Sequence, residues 1–480
     1  MLFWDWAALM PEGGAAARTG QLAALEGVAH ELLTAADLSD LVQRAAAEVA
    51  ALGPWEQANL KHMERRIRRA RALPAALIEA RTKARASSEL RWRRAKAKSD
   101  FTGFLEEFAP LLSLVREAGK RLGAALGLEP YDALLDGYQP GLTAARIESL
   151  FAELARALPP LIEEALARQA REPPVPAFEG RFPMAAQRAL AASLMAKLGF
   201  DFSHGRLDVS AHPFCGGVPD DVRITTRYDE GDFAPALMAV LHETGHALYQ
   251  QGLPAPWRDQ PVGEAAGMAV HESQSLLIEM QLCRGPAFLS FVAPLIAEAF
   301  AAETSSPAFH ADNLARRYLR VERGLIRVDA DEATYSLHVL LRYRLERALI
   351  AGELAPAELP EAWQAGMSEL LGVSPANDRE GCLQDIHWAE GLIGYFPTYT
   401  IGALAAAQLF EAARRALPGL EQATARGDFA PLIGWLRANV HGLGSLYDGQ
   451  ALIERASGQP LSVGSFLDRL RRRYLGIGDN

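Results

Sequence analysis

Asp232-Phe-Ala-Pro-Ala-Leu-Met-Ala-Val-Leu-His-Glu-Thr-Gly-His-Ala-Leu-Tyr-Gln-Gln-Gly252 reads as one apolar helix carrying two histidines a single turn apart. Asp232 is placed to cap its start, Pro235 suits the first turn and Gly252 suits the stop. At about 100° per residue His242 and His246 point the same way, so both imidazoles can reach one cation at about 2.0 to 2.1 Å. Glu243 lies beside them and off that axis, where it can take a proton from an attacking water without itself binding the metal. With 11 His and 59 acidic residues in 480, an acid-flanked pair of this spacing arises by chance roughly 0.03 times per chain.

Two histidines need a third protein ligand. A histidine six residues past His246 would make a metzincin, but that position is Gly252. A gluzincin takes a glutamate from the next helix, and Gly263 to Cys283 is predicted helical, with Glu264, Glu272 and Glu279 on offer. Glu264 suits first-turn charge and Glu279 an ordinary helix surface, whereas Glu272 in His271-Glu-Ser-Gln is mid-helix. Spacing alone leaves all three open.

Outside this region Ala, Leu, Arg and Glu dominate, with apolar residues three and four apart, as at Leu22, Leu25, Val28, Ala29 and Leu32. Pro and Gly clusters at 172–176, 352–360 and 372–377 punctuate helices rather than join domains. A mainly α protein with one catalytic domain over 1–480 is expected. The exception is Arg206 to Tyr228, where Arg206-Leu-Asp-Val-Ser and Asp221-Val-Arg-Ile-Thr-Thr-Arg-Tyr alternate with the strand period on either side of a Gly- and Pro-rich connection. A small β-hairpin is predicted there, and its free edge could bind an extended peptide.

Composition narrows the function. The chain is 49% hydrophobic and 22% charged, within the range of ordinary globular proteins. No run reaches the ~18 apolar residues of a membrane helix. Phe288 to Phe300 comes nearest and carries Pro294 and Glu298. Asp5 stands where a secretory signal has basic residues, and the separated Cys215, Cys283 and Cys382 suit a reducing compartment, so a cytoplasmic location is expected. The net charge of −10 is uneven: Lys61 to Lys98 holds 14 Lys or Arg against Glu64, Glu79 and Glu89. A nucleic-acid surface is one reading of that stretch. A long helix whose basic side chains cover apolar surface with their stems is preferred, because Trp92 is its only aromatic residue and the rest of the chain repels a polyanion.

His212-Pro-Phe, Asp221-Val-Arg-Ile-Thr, His242-Glu-Thr-Gly-His246, His271-Glu-Ser-Gln, Ile326-Arg-Val-Asp-Ala-Asp and Gly381-Cys-Leu-Gln-Asp-Ile-His-Trp follow one another in order. Trp4-Asp-Trp-Ala-Ala-Leu-Met-Pro-Glu-Gly-Gly stands before them. This series resembles the metallocarboxypeptidases of the carboxypeptidase Taq type. The resemblance implies a two-lobed, mainly helical fold with a deep groove and zinc at its floor. It also implies release of single residues, with broad specificity, from peptides with a free C-terminus, usually by a homodimer. By the same carry-over Glu272 becomes the third ligand. Zinc is the expected metal, with cobalt and manganese as substitutes.

The remaining motifs can be given physical tasks. A terminal carboxylate is best met by a planar guanidinium. Arg327, with Asp329, Asp331 and Glu332 to orient it, is the first candidate, and Arg223 the second. Gln384 is a further substrate-side candidate. An oxyanion needs a hydrogen-bond donor, for which His387 and Tyr395 rank first and Tyr399 next. His212 and His271 are read as packed histidines, with orientation of a ligand as their functional alternative. The nearest rival activity is that of a helical zinc oligopeptidase or dipeptidyl carboxypeptidase, which product size would distinguish.

Overall fold

The computed structural model describes residues 2–210, 213–300 and 306–477. His212, the first residue of one sequence motif, lies outside them. The apolar run after Asp232 forms the helix Ala234–Gly252, with Pro235 in its first turn and Asp232 Oδ1 accepting from the Ala234 N–H at 3.0 Å. Val240, Leu241, Ala247 and Tyr249 are wholly buried, so protein surrounds this helix on most sides. A second helix spans Met268–Leu276 and runs on as a π-helical turn, Leu277–Cys283. It begins later than the sequence predicts. Pro261–Gly263 form a short 3-10 turn, and Gly267 adopts φ 104°, a left-handed value that few side chains tolerate. Glu264 is thereby left outside the helix, on the surface beside Arg66.

A third helix, Pro397–Ala416, packs across the second. Two glycines set the spacing of all three. A Cβ on Gly245 would lie 2.4 Å from the Gln274 carbonyl oxygen, and one on Gly402 would lie 2.8 Å from both Cβ and Cγ of Glu272. Glu272 is therefore held between two neighbouring helices that approach closely because neither carries a side chain at the crossing.

The sheet has strands β1 (Gly205–Val209), β2 (Phe214–Val218) and β3 (Asp221–Thr226), in the order β1-β3-β2. The predicted hairpin is corrected: the two alternating runs pair in parallel, β1 with β3, and their connection supplies β2, antiparallel to β3. Phe-Cys-Gly-Gly-Val lacks the alternation that would have announced a strand. Val222 and Ile224 are fully buried, and β3 packs on the helix Ala234–Gly252.

The basic stretch forms most of two helices, Pro54–Ala72 and Ala75–Lys98. Several of its cations turn inward. Arg65 and Arg69 converge on the buried Asp136 at 2.8 and 3.0 Å, and Lys96 donates to the Gln384 carbonyl at 2.8 Å. One large apolar core runs through the chain, with a satellite of Val42, Leu60 and Ile67 near the N-terminal helices. Among the described residues no single helix is long and apolar enough to cross a membrane.

Candidate metal centre and its groove

His242 Nε2 and His246 Nε2 face Glu272 Oε2 at 3.9 and 3.3 Å. The three donor atoms all lie within 4.8 Å of one another. Tetrahedral ligands held at about 2.0 to 2.1 Å from zinc are about 3.3 Å apart, so small movements would close this trio round such an ion. Each imidazole is fixed from behind: His242 Nδ1 bonds Glu279 Oε2 at 2.9 Å, and His246 Nδ1 bonds the His271 carbonyl at 3.0 Å. A proton on each Nδ1 leaves Nε2 as the lone-pair donor toward the centre. The His271 ring stacks on His246 with centroids 4.5 Å apart, and its Nε2 accepts from the Gln250 amide at 2.9 Å. His271 thus supports His246 through both its carbonyl and its ring.

The charge balance of this centre favours a cation. Glu243, Glu272 and Glu279 are all buried around the two imidazoles. Burial alone would lower the pKa of His242, yet its bond to Glu279 and the charges of Glu272, Glu279 and Glu243 raise it to about 10. A divalent ion held there would supply the positive charge for which a protonated imidazole otherwise stands in. Burial also pushes the Glu243 carboxyl above its ordinary value.

Glu279 was expected on an ordinary helix surface and is instead buried at the back of the centre, carried there by the π-helical turn. Arg284 Nη2 donates to its Oε1 at 2.6 Å. Against the effect of burial, the Arg284 charge and the His242 bond hold the Glu279 carboxyl down at about 2.

A cavity of about 800 Å³ opens over the centre, bordered by His242, Glu243, Glu272, Arg327, Tyr335 and Tyr399 among others. Arg327 Nε and Nη2 bond Asp385 Oδ1 at 3.0 and 2.8 Å, and Nη1 bonds the Tyr335 hydroxyl at 2.9 Å. Asp385, rather than Asp329, Asp331 or Glu332, therefore orients it. Asp331 caps the helix Glu332–Ala351, Glu332 pairs with Arg473, and Asp329 is exposed. Asp385 Oδ2 also takes Arg342 Nε at 2.7 Å. One buried carboxylate thus serves two buried guanidiniums, which overcome the effect of burial and hold it far below the usual carboxylate range.

Several site expectations are corrected. Gln384 Oε1 accepts from the Arg327 N–H at 2.9 Å and from Arg342 Nη2 at 2.7 Å, while its amide donates to the Leu325 and Glu380 carbonyls. Its hydrogen-bonding capacity is used in holding the two arginines, so it is scaffold rather than a substrate contact. Arg223 bonds Asp221 at 2.9 and 2.8 Å, lies 4.8 Å over the Trp4 ring, and does not border the groove. Neither His387 nor Tyr395 borders it either. His387 Nε2 bonds the Tyr399 hydroxyl at 2.9 Å, and Tyr395 stands edge-on to Tyr138 and Tyr399. Burial, followed by the Arg327 charge, drives the His387 pKa down to about 3, so this imidazole is neutral. Tyr399 and Tyr335 border the cavity, as do Tyr318 and Ser336.

Four contributions escaped the sequence reading: Glu279 as the partner of His242 rather than a possible ligand, and Asp385, Arg342 and Tyr335. Two had a signal. Glu279 follows Glu272 by seven residues, close to two helical turns on the same face, and Asp385 lies inside the Gln384-Asp-Ile-His motif. Arg342 and Tyr335 had none, because only the tertiary fold brings the helix Glu332–Ala351 to the groove.

Comparison with known proteins identifies the family. A family model for the carboxypeptidase Taq (M32) metallopeptidases matches residues 1–474. Thermostable carboxypeptidase 1 of Thermus thermophilus is 39% identical over 486 residues, spanning 99% of this chain and 94% of that one. Carboxypeptidase 1 of Bacillus subtilis is 37% identical over 393 residues, spanning 81% and 77%. Among solved structures, Trypanosoma cruzi metallocarboxypeptidase 1 superposes with a TM-score of 0.95 at 40% identity, over 98% of this chain and 95% of that one. Fold and comparisons together define the class as mainly helical metallocarboxypeptidases. The chain belongs to the carboxypeptidase Taq (M32) metallopeptidase family. Membership does not carry the gluzincin label read from spacing.

Proposed function

We propose that this metallocarboxypeptidase uses zinc to hydrolyse the last bond of peptides with a free C-terminus, releasing single residues of varied side chain. The convergence of His242, His246 and Glu272 beneath an open groove is the observation that supports this reading. A set of two nitrogens and one oxygen leaves a fourth tetrahedral position and suits zinc, with cobalt or manganese as substitutes. When bound, the ion would supply Lewis acidity to the scissile carbonyl and to the attacking water.

Glu243, at the groove wall, takes the proton of the attacking water and returns it to the leaving amine. Tyr399 is the preferred oxyanion donor. If His387 donates from Nε2 to the Tyr399 oxygen, the hydroxyl proton is left to face the groove. Tyr335, whose oxygen accepts from Arg327, is similarly free to donate. A donor of this kind lowers the barrier by about 2.7 to 4 kcal/mol. Arg327 uses three of its five N–H groups on Asp385 and Tyr335. The two that remain, together with the net positive charge of Arg327, Asp385 and Arg342, are offered to the terminal carboxylate. Strand β2 is a sheet edge, and Pro213 just before it borders the groove, which suits an extended peptide lying alongside.

The working form is taken to be a homodimer, as the resemblance implies, in the cytoplasm, as Asp5 and the separated cysteines suggest, and sedimentation of the purified protein checks the oligomeric state. Activity is tested by incubating one defined peptide, free and amidated at its C-terminus, with and without chelator, and weighing the products by mass spectrometry. Stepwise loss of single residues from the free peptide alone, abolished by chelator, is expected. Dipeptide losses or internal cuts would favour the oligopeptidase reading, and equal cleavage of the amidated peptide would remove carboxylate recognition.

A further inference from the structure

The α-helical hydrogen-bond pattern gives way to a π-helical turn, Leu277–Cys283, in the segment that places Glu279 behind His242. Such turns insert a residue, disturb the regular ladder and leave carbonyl groups to find other donors. Two carbonyls of this last turn are met by arginines from the C-terminal region, where the helix Gly464–Leu470 continues as a second π-helical turn, Arg471–Leu475. Arg473 Nη2 donates to the Met280 carbonyl at 2.7 Å, and Arg469 Nη2 donates to the Gln281 carbonyl at 2.9 Å. Arg473 also pairs with Glu332, each side chain only 4% exposed. Glu332 in turn accepts from the Gln281 amide at 2.8 Å.

The other face of the turn belongs to the metal centre. Met280, whose carbonyl Arg473 holds, is the chain neighbour of Glu279, and Glu279 receives His242 Nδ1 and Arg284 Nη2. Arg284 is itself tied to the Tyr318 carbonyl at 2.9 Å. Three guanidiniums therefore surround one helical turn. The arrangement is costly: burial, followed by repulsion from Arg473, lowers the pKa of Arg469 to about 9. Buried charges of this kind are poor value for stability alone, since well-packed apolar residues of similar volume usually do as well.

We infer that Arg473 and Arg469 are positioning residues for the metal centre, clamping the π-helical turn so that Glu279 holds His242 in the orientation a metal ligand needs. The inference rests on the reading of His242, His246 and Glu272 as ligands. Both arginines act through the backbone of the turn. A mere tether for the C-terminal helix would lower the melting temperature and leave the metal affinity of the folded protein alone. A positioning role lowers that affinity, as loss of ligand-orienting partners does by 10- to 100-fold.

The test uses the full-length apoprotein, with zinc dissociation constants from chelator competition and thermal melting of the same samples. Arg473→Ala and Arg469→Met are expected to weaken zinc binding about tenfold or more, with Arg473→Lys recovering part of the loss. Arg116→Ala removes a comparable arginine-to-carbonyl bond, that to Leu349 at 2.8 Å, in another part of the fold. It is expected to melt earlier and bind zinc like the parent. Should Arg473→Ala fail to fold, Arg469→Met decides alone. Parental zinc affinity in the folded variant overturns the inference. Failure of the underlying reading looks different: the parent chain would show no one-site zinc binding, or His246→Ala would retain it.

Discussion

Replacing Gly402 by alanine adds one methyl group to the face of helix Pro397–Ala416 that covers Glu272. Its carbon would lie 2.8 Å from Glu272 Cβ and Cγ and 3.1 Å from the Ala269 carbonyl oxygen. Nonbonded carbons rest at about 3.5 to 4.0 Å, so roughly 0.7 Å or more of movement is required. The obstructing atoms are backbone and the root of the Glu272 side chain, so rotating the far end of the carboxylate brings no relief. Metal-ligand distances tolerate only about 0.2 Å. We therefore expect zinc affinity to fall about 10- to 100-fold, or roughly 1.4 to 2.7 kcal/mol. Overpacking should cost a further ~1 to 3 kcal/mol of folding stability. Gly434→Ala is the matched control, because a Cβ there meets nothing within 4 Å and the residue lies inside helix Ala430–Asn439. It should leave zinc affinity unchanged and add up to about 1 kcal/mol of stability. Chelator competition and urea unfolding measure both quantities. Parental zinc affinity in Gly402→Ala would refute the idea that close helix approach sets the position of Glu272.

Three further outcomes are expected. Glu243→Gln should abolish peptide hydrolysis while metal analysis still finds one zinc per chain, and retained turnover would remove Glu243 as the base. Asp385→Asn leaves Arg327 and Arg342 without their shared carboxylate, which should cost about 3 to 5 kcal/mol in urea unfolding and raise KM for peptides with a free C-terminus. The third concerns pH. Glu346 is wholly buried, and burial raises its pKa to about 7 despite hydrogen bonds from Trp388, Tyr131 and the Gly394 N–H. A raised folded-state value means that its contribution is complete below the ordinary glutamate pKa near ~4.3 and is lost as pH rises through about 7. The stability gap between the parent and Glu346→Gln should therefore shrink from pH 5 to pH 8, and a constant gap would contradict this.

The helix Ala234–Gly252 was legible because its information is local: histidine spacing, apolar periodicity, and Pro235 and Gly252 at its ends all act within one helix. Spacing could shortlist Glu272 and only the resemblance chose it, since its place depends on Gly245 and Gly402 bringing other helices close. The sheet was half legible. Its alternating runs declared β1 and β3, whereas the two glycines in β2 removed the pattern, and nothing local distinguishes a parallel from an antiparallel partner. Arg327, singled out as the candidate for the terminal carboxylate, borders the groove but was given the wrong companions. Acids nearby in sequence looked suited to orient it, but Asp385 reaches it from 58 residues away. Tyr395 outranked Tyr399 for lack of any cue to side-chain direction, and the structure turns Tyr399 toward the cavity with His387 behind it.

The most direct measurement is diffraction from zinc-loaded crystals at the zinc absorption edge. A single anomalous peak is expected within about 2.0 to 2.2 Å of His242 Nε2, His246 Nε2 and a carboxylate oxygen of Glu272. A peak elsewhere, or a Glu272 side chain turned away from an ion bound to the two histidines, would contradict the metal centre described above.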